Sequence, residues 1–206
     1  MLSFYEHQTK LFLPDGGEKF AKCLELSGEP YLPLISWTMR NAPGIEKLNL
    51  SEVWEWTAKR EIFRYSYLQG LIHPMKTNSG FLNRLIEWNS LAPEMDVILC
   101  PAHHTPAPLH GTSKYWGYLS LWNLLDYPAV VFPVTRISQE LDGKDRSYVP
   151  KNDIDRFCYE QYDVVRQKDA PVSLQLVAKR FEDEKLMQAL KDIKESIGLP
   201  FIDCLA

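Results

Sequence analysis

No basic run, no long apolar run and no glycine- or serine-rich stretch occurs in these 206 residues. The first absence, with a formal net charge of -4, removes the electrostatic case for nucleic acid, because nothing tracks a phosphate backbone. The second leaves no candidate for a membrane span, which needs roughly 18–20 apolar residues. Cysteine is scarce and dispersed. Cys23, Cys100, Cys158 and Cys204 form no CxxC pair, and a chain of this length does not need disulfides to hold a core, so free thiols in a reducing compartment are expected. The N-terminal segment lacks the basic-then-apolar layout of a signal peptide, and the closing Cys204-Leu205-Ala206 is not a peroxisomal address. The expected location is the cytoplasm. A GxSxG elbow, a P-loop and a GxGxxG turn are also missing. What remains, 45% apolar and 24% charged residues without repeats or low-complexity segments, is an ordinary globular composition for one large domain or two small ones.

Helices and strands alternate along the chain. Residues 17–27 predict a short helix after the Asp15-Gly16-Gly17 turn, with Phe20, Cys23 and Leu24 on one face. Residues 31–44, beside Pro30 and including Pro33 and Pro43, predict an irregular surface crossing. Asn49 with Glu52 three residues on is a capping box. The helix it opens is expected to run to about Leu71, carrying Val53, Trp56, Phe63 and Tyr67 on one face and Arg60, Glu61 and Arg64 elsewhere, before His73-Pro74 ends it. A second helical piece is expected at 80–90. Buried strands are expected at 95–99 and 129–135, separated by an aromatic helix at 116–126. Residues 138–170 are polar and read as a long surface excursion. An alternating strand follows at 172–178, then a helix at 181–197 with Leu186, Leu190, Ile193 and Ile197 at helical spacing and Gly198 and Pro200 as its stop. This alternation is an α/β pattern.

The residues that invite chemistry lie between 96 and 127. His103, His104 and His110 raise a metal reading, but a closed zinc site takes about four ligands, and strand alternation does not aim Cys100 at His103. Local hydrogen bonding on a polar loop is the expected role of these histidines. Cys100 beside His103 also suggests a thiolate nucleophile, which requires an exposed and activated thiol. At the end of a buried strand, Cys100 is expected to act as a small apolar residue instead. Ser113-Lys114 has no oxyanion motif around it and is expected at the surface. The aromatic run Tyr115, Trp116, Tyr118, Trp122 and Tyr127 packs a core, lines a small-molecule pocket, or does both on its two sides. Glu182-Asp183-Glu184 suits a helix N-terminus.

Several segments together carry a resemblance: Asp15-Gly16-Gly17, Ser27-Gly28-Glu29-Pro30, the 96–101 strand, 115–118, the Asn123-to-Pro128 run, Phe132-Pro133-Val134, and the closing 170–177 strand with 180–184. Together they resemble the amidase signature family, most closely its fungal acetamidase-like branch. Two departures appear in the last strand, where Ser173 and Ala178 stand in place of the family's usual glycines. The resemblance implies an α/β fold, the C-terminal part of the amidase signature fold, with a mixed β-sheet flanked by helices and residues 1–206 as a partial amidase domain. It also implies hydrolysis of a carboxylic amide to carboxylate and ammonia by the whole family fold, without a cofactor or a metal. The family's nucleophilic serine, its second serine in a cis peptide and its lysine precede everything matched, and this chain has no glycine/serine-rich stretch, so no catalytic residue is carried over. By the same resemblance the loop after the 96–101 strand lines the acyl side of the substrate pocket, which makes Ile98, Ala102, His103 and Tyr118 the candidate substrate-binding residues.

A chain that begins inside the family fold is expected to be inactive alone, and to self-associate through an exposed sheet edge and an uncovered apolar patch. Two other readings stand beside this one. Serines and lysine supplied from elsewhere would make it an active amidase. Use of the old pocket without chemistry would make it a binding or regulatory module that associates with a full-length amidase or a ligand.

Overall fold

The computed structural model describes residues 4–42, 44–68 and 96–197, which fall into two compact units divided after Asp96. The expected helix at 80–90, the His73-Pro74 break and the Gly198/Pro200 stop lie outside the described residues.

The first unit is helical: α1 (Phe4–Phe12), α2 (Glu18–Ser27), α3 (Pro33–Ser36) running into one π-turn (Trp37–Asn41), and α4 (Leu50–Leu68). The Asp15 carboxylate starts α2, accepting the backbone N–H of Gly17 and of Lys19 at 2.9 Å each. Gly17 is required there. Its φ is +79°, and a Cβ would sit 2.9 Å from the Met39 carbonyl oxygen. The 31–44 stretch is not irregular throughout, because Pro33 occupies the first turn of α3, where its missing N–H costs nothing. Asn49 and Glu52 close their capping box reciprocally, at 3.0 and 2.7 Å. Along α4, Trp56 and Phe63 pack on His7 of α1 with ring centroids 5.5 and 5.4 Å apart. Arg60 and Arg64 do not fall clear of this side. Their side chains are only 30% and 15% exposed, and both guanidinium groups pair with Glu61.

The second unit holds β1 (Ile98–Pro101), α5 (Gly117–Leu125), β2 (Ala129–Arg136), α6 (Asp153–Gln161), β3 (Pro171–Val177) and α7 (Asp183–Ile197). The sheet order is β1-β3-β2, and both pairings are antiparallel, with Cys100 and Val131 each opposite Gln175. The described strands therefore contribute antiparallel pairs to the sheet. β3, the last strand, lies in the middle, so its second half is buried on both faces rather than alternating. β1 and β2, expected as buried strands, flank it, and Leu99 and Val131 are 55% and 49% exposed. β1 also starts three residues later than expected. Pro101 fits within it because, among the described residues, the strand has one ladder partner and can spare an N–H. Pro133 of β2 lies beside a register shift at Val134.

Helices flank both faces. On one face Leu186 and Leu190 of α7 close over Phe132, Leu176 and Ala178. Ala178 is fully buried, so the methyl in place of a glycine is accommodated. On the other face α5 buries Leu121, Trp122, Leu124 and Leu125. α5 ends on Asp126 in the left-handed conformation (φ 63°), and α7 begins with the acidic first turn that its sequence indicates. The 138–170 segment is not a featureless excursion. Asn152 caps α6 by accepting the Asp155 backbone N–H at 2.9 Å. None of the described helices is long and apolar enough to cross a membrane.

Candidate functional site

After β1 the chain turns through Ala102, His103, His104, Thr105 and Pro106 and forms one wall of a 560 Å³ cavity. Tyr118, in the first turn of α5, continues that wall. The opposite wall comes from the segment read as a surface excursion and includes Lys144, Tyr148, Asp155, Tyr159 and Tyr162. One buried side chain ties the loop to the helix: Gln175 Nε2 of β3 donates to the carbonyls of Pro101 and Tyr118, at 2.8 Å each. A second cavity of 810 Å³ adjoins the same loop and extends along the end of β2 to Leu141.

His103 and His104 stack obliquely, with ring centroids 4.1 Å apart, and His104 meets Tyr115 edge-on at 5.3 Å. His103 Nδ1 faces the Thr105 hydroxyl at 2.9 Å and accepts the Thr105 backbone N–H at 3.3 Å, which puts the proton of the neutral ring on Nε2. Burial holds both rings neutral. It lowers the His103 pKa, with backbone groups of Thr105 and Tyr115 pulling the other way. It drives His104 down to about 4, helped by repulsion from His103 and opposed by Asp155.

The far wall is held by hydrogen bonds. Tyr148 Oη donates to the Asp155 carboxylate at 2.8–2.9 Å, and Lys151 N–H adds a bond at 2.7 Å that holds Asp155 below the usual carboxylate range. Tyr159 Oη donates to the Asp145 carbonyl at 2.8 Å, and Tyr162 Oη to the Asp142 carbonyl at 2.5 Å. Lys144 Nζ lies 4.4 Å from the Tyr159 ring centroid, a cation–π contact.

Of the residues singled out from sequence, His103 and Tyr118 both line this cavity. Ala102 is buried between wall residues, and Ile98 lies at the other end of β1, paired with Val177 and away from the cavity. The tyrosines of the far wall were not anticipated. Their density in an otherwise charged segment (Tyr148, Tyr159 and Tyr162) was the available signal. The aromatic run from Tyr115 serves both purposes, since Trp122 and Tyr127 are core while Tyr118 lines the cavity. Cys100 is buried, and desolvation pushes its thiol up to about 11, against Gln175 and Trp122, which lower it. Cys158 in the cavity is also raised, mainly by burial. Ser113 and Lys114 are half-buried. The Ser113 hydroxyl accepts the Trp116 indole N–H at 3.1 Å, and Lys114 lies 4.8 Å from the Phe157 ring. Among the described residues, no three His, Cys, Asp or Glu side chains come together as a metal site.

The Amidase family model matches residues 39–187. A putative amidase of Schizosaccharomyces pombe is 42% identical over 185 residues, which cover 90% of this chain and 31% of the relative. The acetamidase of Aspergillus oryzae is 30% identical over 191 residues, covering 92% of this chain and 32% of the relative. The solved structure of a fatty acid amide hydrolase matches the fold with a TM-score of 0.73 at 26% identity, over 95% of this chain and 32% of that one. The chain thus spans about a third of the length of the relatives it matches.

Proposed function

From the premise that this chain belongs to the amidase family, we propose that it is the C-terminal part of an acetamidase-like amide hydrolase of the cytoplasm. Its 102–106 loop and Tyr118 form a wall of the pocket for a small carboxylic amide. The serine nucleophile, its partner serine and the lysine that hydrolyse the amide are supplied by residues outside this sequence, so the 206-residue chain holds the substrate wall without the reaction. His103 and Tyr118 touch the bound amide, Ala102 supports the wall from behind, and Ile98 has no part in it.

One observation carries this reading. The cavity beside the strand that resembles the family's pocket strand has, among the described residues, no serine on its walls, and the Cys158 thiol there is raised rather than activated. That is a binding surface without a nucleophile. The exposed residues Leu99 on β1 and Val131 on β2 fit the same reading, as apolar positions that further parts of an amidase, or a second copy of the chain, would cover.

The test is ammonia release from acetamide by the purified chain, with circular dichroism establishing that it is folded. The expected result is a folded protein with no release above a mock preparation, and chemical-shift changes on adding acetamide at His103 and Tyr118. Ammonia release by the folded chain overturns the division of labour. Shift changes that avoid the cavity overturn the assignment of the wall.

A further inference from the structure

The 560 Å³ cavity is far larger than acetamide requires; pockets of about 300–1,000 Å³ hold drug-sized molecules. Its lining is selective in kind. Prolines, imidazoles and four tyrosines supply the non-polar surface, and among the described residues no Leu, Ile, Val, Met or Phe is on it, the branched side chains of Ile137, Leu141 and Leu174 lining the adjoining cavity instead. An alkyl chain is matched by branched aliphatic walls. A flat ring is matched by aromatic faces and edges, which pair with it in offset or edge-to-face geometry. The far-wall rings are also pre-set. The hydroxyls of Tyr148, Tyr159 and Tyr162 are each tied to a carboxylate or carbonyl, so little side-chain freedom is lost when a ring docks. Tyr148 and Tyr159 lie 5.4 Å apart, centroid to centroid, tilted by 32°.

Resting on the amide reading above, we infer that this pocket selects amides bearing an aromatic ring on the acyl side, such as arylacetamides, over acetamide and over alkyl amides of similar length. The ring lies among Tyr118, Tyr148 and Tyr159, and the amide group sits against the His103–Thr105 loop.

The inference is tested by binding to the 206-residue chain, which needs no turnover, using acetamide, hexanamide, phenylacetamide and 2-phenylethanol as probes in an NMR titration. Phenylacetamide is expected to bind about tenfold or more tighter than hexanamide, and tighter still than acetamide. Tyr118→Leu is expected to reduce that preference at least about threefold while Tyr118→Phe retains it, because only the ring matters. Should Tyr118→Leu fail to fold, Tyr148→Leu, at a more exposed wall position, removes a ring and its tie to Asp155 together and is expected to lower the preference as well. Hexanamide binding as tightly as phenylacetamide, or equal loss in the Leu and Phe variants, overturns the aromatic preference and leaves the amide wall intact. Equal binding of 2-phenylethanol and phenylacetamide keeps the ring preference and overturns the amide reading. Failure of all four probes to bind overturns both.

Discussion

Replacing Gln175 by methionine keeps the side chain's length and removes its amide. Gln175 is fully buried in the central strand, and its single Nε2 satisfies two carbonyls, Pro101 at the loop and Tyr118 in α5. Pro101 is exposed to water and the Tyr118 carbonyl also lies within the α5 ladder, so each lost bond is worth about 0.5–1.5 kcal/mol. Gln175 Oε1 has no partner of its own, and deleting it recovers about 1 kcal/mol of desolvation penalty. Two lost bonds less the recovered oxygen leave a loss of about 0–2 kcal/mol for Gln175→Met, with a further cavity term for Gln175→Ala. Because the chain divides into two compact units, urea unfolding is best read together with amide exchange along β3, which reports the second unit alone. The variant should also weaken amide binding, since the two near-wall elements lose their common tether. Unchanged exchange along β3 together with unchanged amide binding would refute the tether and place the hold on these carbonyls elsewhere.

Two further outcomes follow from the same reasoning. His104 is pushed down to about 4 in the folded protein against 6.5 for an ordinary histidine, so between those values the unfolded chain takes up a proton that the folded chain refuses. Stability therefore falls as pH drops from about 6.5 to 4, and His104→Gln should flatten the urea midpoint across that window; parallel profiles for the two proteins would contradict the assignment. Asn49→Ala removes the side-chain acceptor of the Glu52 backbone N–H while its own backbone N–H can still donate to the Glu52 carboxylate, and should cost about 1 kcal/mol. It is read as lost helicity and a lower urea midpoint for the first unit, and an unchanged midpoint would contradict it.

Periodicity and caps were enough to locate α2, α4, α5 and α7, because each carries its own signal: the Asp15 turn, the Asn49–Glu52 box, the Pro128 stop, and Leu186 with Leu190. Strand positions came within a few residues, but their environment did not. The apolar runs at 97–100 and 129–132 look equally buried in sequence. Only the pairing order, with the last strand inserted between the first two, leaves Leu99 and Val131 exposed and makes Gln175 a core residue. The cavity was half legible. His103 and Tyr118 follow from a family resemblance, whereas the tyrosine wall depends on long-range packing of α6 and the turns before it, which a polar segment does not announce. Asn152 with Asp155 three residues on was a readable helix start within that segment.

The strand order also governs when this unit can begin to fold. β1 and β2 never pair with each other; each waits for β3. Gln175 and the Pro101 carbonyl it secures are 74 residues apart in the chain, so the ladder closes a long loop whose entropic cost must be met before any strand pairing stabilises it. During synthesis the first two strands emerge as separate apolar segments with unpaired edges, exposed until residue 177 has left the ribosome. Release of the chain anywhere before Pro171 leaves β1 and β2 without the strand that joins them. Chaperone dependence should therefore concentrate on nascent chains that end between the second strand and the third.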